Sequence, residues 1–290
     1  MKVLLLGSSG QLGQELHRRL GDGFTAVALD RQQLDLASLD QVRQAVLDHQ
    51  PDWVINAAAY TAVDKAEAEP ELALRVNGEA PGVMAAAAAD CGAAIAHFST
   101  DYVFDGSQGR PYLETDSPNP MSSYGRSKLA GEQAVAQANP RHLVMRTSWV
   151  YGARGRGNFV KTMLRLGAER PFIKVVSDQV GAPTWTGDIA TATLQLVQHP
   201  IDETAGLYHF CSSGVISWYD FAIAIFEEAT ALGLLSKAPE IIPITTAEYP
   251  TTAQRPANSA LYCPKIAGVL QQTPPYWRES LRTMLSELSP

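Results

Sequence analysis

Four apolar residues, Val3-Leu4-Leu5-Leu6, run straight into Gly7-Ser8-Ser9-Gly10-Gln11-Leu12-Gly13, and Gln11 to Leu20 then carries apolar residues at helical spacing. A buried run, a glycine turn and an amphipathic helix are how a parallel sheet begins, because a parallel neighbour is reached only through a crossover, usually a helix. The chain keeps that rhythm. Phe24 to Leu29 reads as a strand ending at Asp30, Leu39 to His49 as a helix, Trp53 to Asn56 as a strand, about Glu71 to Cys91 as a helix and Ala94 to Ser99 as a strand. Leu143 to Trp149 and Ile173 to Ser177 continue the strands, and about Asp188 to His199 the helices. The expected fold class is α/β: a Rossmann-like doubly wound parallel sheet covered on both faces, with a smaller C-terminal substrate-binding domain.

The glycines define a first candidate site. Gly7, Gly10 and Gly13, spaced GxxGxxG, permit a tight turn and close backbone approach, so that the amides around Gln11 and Leu12 can hold a pyrophosphate at a helix N-terminus. Asp30, at the end of the second strand, can accept from the adenosine ribose hydroxyls or cap its own turn. Arg31 beside it can pair with a 2′-phosphate, which leaves both NADH and NADPH open. Asp35 and Leu36 can flank the adenine, with Asp35 equally readable as a helix cap. The small residues Ala57, Ala58 and Ala59, followed by Tyr60, either leave room for the cofactor or simply pack well.

A second candidate is Ser122-Ser123-Tyr124-Gly125-Arg126-Ser127-Lys128. Tyr124 and Lys128 are neighbours on one helix face, and a fixed cation near a phenol lowers its pKa from about 10. Such a pair suits proton donation to a carbonyl. Upstream, Phe98-Ser99-Thr100 is a short strand that ends in hydroxyls. Thr100 can orient the same oxygen or cap the chain end.

Composition narrows the partners. The 46% hydrophobic and 18% charged content fits a folded enzyme rather than a disordered chain. A net charge of −7 with no basic run argues against nucleic acid. Cys91, Cys211 and Cys263 lack CxxC spacing, so neither a zinc site nor a disulfide framework is expected. Met1 to Gly7 is too short for a signal segment or a membrane span, and a cytoplasmic protein without membrane contact is expected. The anticipated division is a dinucleotide-binding domain over 1–150, with returning pieces from about 171–210, and a mainly substrate-binding domain over 151–290. Its Pro-punctuated stretch from Pro239 to Pro275 suits a lid, beside one long helix from Trp218 to Leu232.

Taken in order, the opening turn, Asn56-Ala-Ala-Ala, Ser99-Thr100-Asp101-Tyr102-Val103-Phe104 and Tyr124-Gly-Arg-Ser-Lys128 resemble the extended short-chain dehydrogenase/reductases. Thr61 to Glu67, Arg146 to Gly152, Asp178 to Thr184 and Arg255 to Ser259 are similar to the dTDP-4-dehydrorhamnose reductase family within them, over nearly the whole chain. The resemblance implies NADPH- or NADH-dependent reduction of the 4-keto group of a dTDP-4-keto-6-deoxy sugar, with Tyr124 as acid and Lys128 and Thr100 as its partners. It further implies substrate contacts from Val63, Thr100, Asp101, Tyr102, Trp149, Arg255 and Asn258. Some members of the family are dimers bridged by Mg2+ through carboxylates. Glu15 matches one such position, but Gly187 stands where a Glu is expected, so no metal is expected in the active site and a homodimer is left open. A nucleotide-sugar epimerase or dehydratase, or a regulatory subunit that has kept the fold, are the competing readings.

Overall fold

The computed structural model describes residues 1–21 and 23–288. β1 (Lys2–Leu6), β2 (Thr25–Leu29), β3 (Trp53–Asn56), β4 (Ala94–Thr100), β5 (His142–Thr147) and β6 (Gly206–His209) form one sheet in the order β6-β5-β4-β3-β1-β2. Every pairing in it is parallel. The strands β3 and β4 are buried at every residue, which is what a sheet covered on both faces demands of its centre.

The two covers differ in chemistry. On one face, Leu12 and Leu16 of α1 (Gln11–Arg19) pack with Ile189, Leu194 and Leu196 of a later helix, Thr186–Gln198, against Val3, Leu5 and Ile55. On the other, Val42 and Val46 of α2 (Leu39–His49) meet Met84, Ala85 and Ala88 over Leu4, Leu6 and Val54. The helix expected over Glu71 to Cys91 runs from Pro70 to Asp90 and is broken by a π-turn at Arg75–Glu79. Arg-Val-Asn-Gly-Glu is a weak helix sequence, and π-turns of this kind concentrate at functional sites.

A second core lies beyond the sheet. Tyr151, Trp185, Phe221, Phe226, Trp277 and Leu281 are among its buried members. The strand near Ile173 spans Phe172–Val176 and pairs in parallel with Glu240–Ile244, away from the six-stranded sheet. Besides the helix Trp218–Ala231, this region contains Phe159–Glu169 and Trp277–Ser286, while Pro264–Leu270 packs its Ile266 into the sheet core; all three are helices absent from the sequence expectation. For the last of these the signal is present in the chain: Trp277, Leu281, Met284 and Leu285 fall at helical spacing and all are buried. No helix among the described residues is long and apolar enough to cross a membrane.

Candidate active site

β1 lies between β2 and β3, so the chain steps from β1 to one side and then crosses to the other. Crossovers that diverge in this way leave a crevice above the carboxyl ends of the strands. Gly7 closes β1 with φ of +80°, and a Cβ there would stand 2.6 Å from the Ala58 nitrogen. Only glycine fits both the backbone angle and the space. A side chain on Gly13 would run into the Gly7 carbonyl oxygen. Gly10 precedes α1 as its N-cap without a side-chain bond, and the first turn of that helix has no acid. Among the described residues the amides of Gln11, Leu12 and Gly13 have no backbone acceptor. Unpaired donors at the positive end of a helix dipole suit a phosphate.

The catalytic candidates meet at the next strand end. Thr100 closes β4, and its hydroxyl donates to Asp101 Oδ1 at 2.9 Å while accepting from the Tyr102 amide at 3.2 Å. Tyr124 is the second residue of the helix Ser123–Ala138, whose start is held twice. Ser122 Oγ accepts from the Gly125 amide, and the Glu67 carboxylate accepts from the Ser123 amide at 2.7 Å and the Ser123 hydroxyl at 2.9 Å. A side chain on Gly125 would strike the Tyr102 carbonyl. That close approach sets the Tyr102 and Tyr124 rings edge-on, with centroids 5.7 Å apart.

The electrostatics differ from the simple pair inferred from spacing. Burial pushes the Tyr124 phenol up to about 12; the Thr100 hydroxyl beside it pulls the other way, and the Asp101 carboxylate adds to the rise. Lys128, 2% exposed, donates to the Phe98 carbonyl oxygen at 2.5 Å, and its Nζ lies 3.4 Å from His97 Nε2. Burial lowers its pKa to about 8, against the opposing charge of Glu132. Asp101 rises to about 6 through burial, restrained by the hydroxyls of Ser259 and Thr100.

A sheet of this order, an open helix N-terminus and a Thr, Tyr and Lys at one strand end coincide with a family resemblance that covers the entire length. The family model described as the RmlD substrate binding domain matches residues 1–289. A dTDP-4-dehydrorhamnose reductase of Aggregatibacter actinomycetemcomitans is 44% identical over 288 residues, 98% of each chain. This chain belongs to the dTDP-4-dehydrorhamnose reductase family. Solved structures agree with it in shape. The reductase of Clostridium acetobutylicum superposes with a TM-score of 0.93 at 39% identity, covering 100% of both chains. That of Bacillus anthracis, solved in complex with NADP, gives 0.92 at 36% identity and 99% of both.

The remaining residues of this family member divide into those open to a ligand and those already engaged. Arg31, Asp35 and Ala59 are exposed, and Val63 opens the short helix Val63–Ala66 half-buried. Asp30 Oδ1 accepts from the amides of Gln32 and Gln33, the turn-cap alternative, and Oδ2 has no protein partner among the described residues. Asp35 Oδ1 likewise accepts from the Ala37 amide. Leu12 and Leu36 send their side chains into the two cores, so what they present to a ligand is backbone. Tyr60 donates its hydroxyl to Glu69 at 2.8 Å.

Three substrate candidates have protein partners. Arg255 grips Asp64 through its two terminal guanidinium nitrogens, Nη2 at 2.6 Å and Nη1 at 3.2 Å, and that pairing holds the Asp64 carboxyl low. The side chain of Asn258 donates to the Gln108 carbonyl and accepts from the Ala260 amide. Trp149 stacks on Trp218 at 3.6 Å, and its backbone takes φ of +47°, a strained value for a bulky residue. Glu15, the carboxylate considered for a bridging Mg2+, is 1% exposed and is engaged by Arg18 at 2.5 Å, Arg19 at 2.7 Å and Arg154 at 3.5 Å. A carboxylate that already faces three guanidinium groups is a poor ligand for a hard cation, and among the described residues no group of three acidic, His or Cys side chains is arranged for a metal.

Several site residues lie outside the sequence expectation. Asn77, on the π-turn, accepts from the Tyr60 amide at 2.8 Å and donates to the Tyr60 carbonyl and the Ser127 hydroxyl at 3.0 Å each. It thus ties the Ala57–Tyr60 turn to the Tyr124 helix. Asn158 donates to Oε1 of Gln11, a residue the sequence did single out, and Gln11 in turn donates to the Val150 carbonyl, so the loop after Tyr151 sits on the start of α1. His97 is a polar residue set among the apolar residues Ala94 to Phe98 of β4, and that is the signal by which it could have been found.

Proposed function

We propose that this chain reduces the 4-keto group of dTDP-4-dehydro-6-deoxy-L-mannose to dTDP-L-rhamnose with NADPH or NADH, the last step of dTDP-rhamnose synthesis. The observation that carries the reading is the meeting of Thr100, Tyr124 and Lys128 at one strand end, beside the uncapped N-terminus of α1. When bound, the nicotinamide supplies a hydride.

Gln11, Leu12 and Gly13 would hold the cofactor's pyrophosphate through their amides, with Gly7 and Gly10 giving access and Asp30 Oδ2 meeting the ribose hydroxyls. Ala57, Ala58, Ala59 and Tyr60 would line the cofactor's path. Tyr124 gives its proton to the substrate oxygen as charge develops there. A phenol held near 12 stays loaded across the neutral range, which an acid requires. The Thr100 hydroxyl turns from Asp101 to the same oxygen and orients it. Lys128 holds the nicotinamide ribose and restores the phenol's proton.

Val63, Asp101, Tyr102 and Trp149 would line the sugar side, and Arg255 and Asn258 the nucleotide side. For Arg255 this means sharing its planar fork between Asp64 and the diphosphate.

A direct test mixes the protein with NADPH or NADH and the 4-keto-6-deoxy dTDP-sugar and identifies the product by NMR. Stoichiometric loss of reduced nicotinamide with a dTDP-L-rhamnose product is expected. Interconversion of sugars without net nicotinamide consumption would instead assign an epimerase.

A further inference from the structure

His97 belongs to β4 three residues before Thr100, is 1% exposed, and lies beneath the Tyr124 helix at Gly131, where an added Cβ would come within 3.3 Å of its Nε2. Its two nitrogens face different partners. Nδ1 is 3.1 Å from Asn56 Nδ2, and Nε2 is 3.4 Å from Lys128 Nζ. The orientation of the Asn56 amide is decided by its neighbour, because Asn56 Oδ1 accepts from the Ala58 amide at 3.1 Å. Asn56 Nδ2 is therefore the atom turned to the imidazole, and it can only donate. Nδ1 must then carry the lone pair, and in the neutral ring the proton sits on Nε2.

That proton faces an amine. While Lys128 is an ammonium, two donors oppose each other across 3.4 Å, and the cation relies on the Phe98 carbonyl. Once Lys128 has lost a proton, its lone pair can accept from Nε2–H. We infer that His97 is a positioning residue for Lys128: with its tautomer set by Asn56, it opposes the ammonium and accommodates the amine, and so primes the Lys128 ammonium to pass a proton to the tyrosinate left at Tyr124, becoming the neutral amine as it does so. Burial and the Lys128 charge both hold His97 well below the usual histidine range, consistent with a ring that stays neutral throughout.

The other charged groups around Lys128 do not replace this effect. Glu132, one turn on along the same helix, favours the ammonium, but both its oxygens are engaged by Arg146 of β5, at 2.8 and 2.7 Å. Tyr124, one turn back, carries no charge in the neutral range. Asp101 bears on the phenol rather than on Lys128.

The functional consequence rests on the reductase reading, whereas the tautomer and the Lys128 titration do not, so the two can fail separately. Long-range 1H–15N correlation on the wild-type protein near pH 7 should show the Nε2–H tautomer for His97; an Nδ1–H tautomer or an imidazolium would overturn the inference without any mutation. Asn56→Asp places an acceptor at Nδ1, moves the ring proton there and turns the Nε2 lone pair to Lys128. The Lys128 titration, followed by 13Cε NMR with Lys128→Arg for assignment, should then move up by about one pH unit, a tenfold change in its protonation equilibrium. The alkaline limb of kcat should move with it. An unmoved Lys128 titration in a folded Asn56→Asp protein, or one that moves down, overturns the proposal; if that variant does not fold, the wild-type tautomer decides alone.

Discussion

The Lys128 ammonium donates to the Phe98 carbonyl oxygen at 2.5 Å, although Tyr124 lies one helical turn away on the same face. Proximity on a helix places two side chains together but does not decide which group each one serves. Here the cation is turned to the strand below, and the phenol is governed by burial and by its Thr100 and Asp101 neighbours. The proton therefore starts on Tyr124 and stays there until a carbonyl oxygen arrives.

Tyr124→Phe should lower turnover by roughly 10²- to 10⁴-fold, the usual worth of a positioned general acid. Cofactor affinity should hold nearly constant, as measured by nicotinamide fluorescence. A variant that retains most of its turnover would remove the phenol from the chemistry.

Asp101 predicts how stability varies with pH. Its carboxyl is raised from 3.8 to about 6, chiefly by burial, so between those values the folded state binds more protons than the unfolded one. Stability should fall as pH rises through that window, by about 3 kcal/mol at most. Asp101→Asn removes the penalty, and its melting temperature should exceed that of wild type at pH 8 by more than it does at pH 4. Parallel melting curves at the two pH values would contradict the assignment.

Gly7→Ala combines a φ of +80° with a Cβ only 2.6 Å from the Ala58 nitrogen. Strain of this kind costs roughly 1–3 kcal/mol, and relieving it means moving the Ala57–Tyr60 turn away from β1. Urea denaturation should report the loss, and NADPH affinity should fall with it, whereas Gly21→Ala, in open space, should do neither.

Glu132 and Arg146 form a buried bidentate pair, 7% and 3% exposed at their side chains. Removing one partner strands the other charge, so Glu132→Gln should cost roughly 3–5 kcal/mol in chemical denaturation. The double change Glu132→Leu with Arg146→Met should recover much of that loss, because neither charge is then buried alone. Equal destabilisation of single and double variants would show that packing, not charge, is at stake.

Period and punctuation were enough to read β1 to β5 and the helices between them from the chain alone, because burial on both faces forces apolar runs and a crossover forces a helix; the edge strand β6, four residues of Gly-Leu-Tyr-His, carries no such run and was missed, and the strand near Ile173 belongs to a separate pair. The glycine turn and the Tyr124–Lys128 spacing were legible for the same reason: each is local, with all of its meaning contained within a few residues. Tertiary structure decided the rest. The pairing of Asp64 with Arg255, the hold of Asn77 on Tyr60, the stacking of Trp149 on Trp218 and the set of His97 between Asn56 and Lys128 join residues 17 to 191 positions apart. Hydrogen bonds and burial act through space, so whether a side chain is free for a ligand or already engaged becomes decidable only once the sheet has brought those distant partners together.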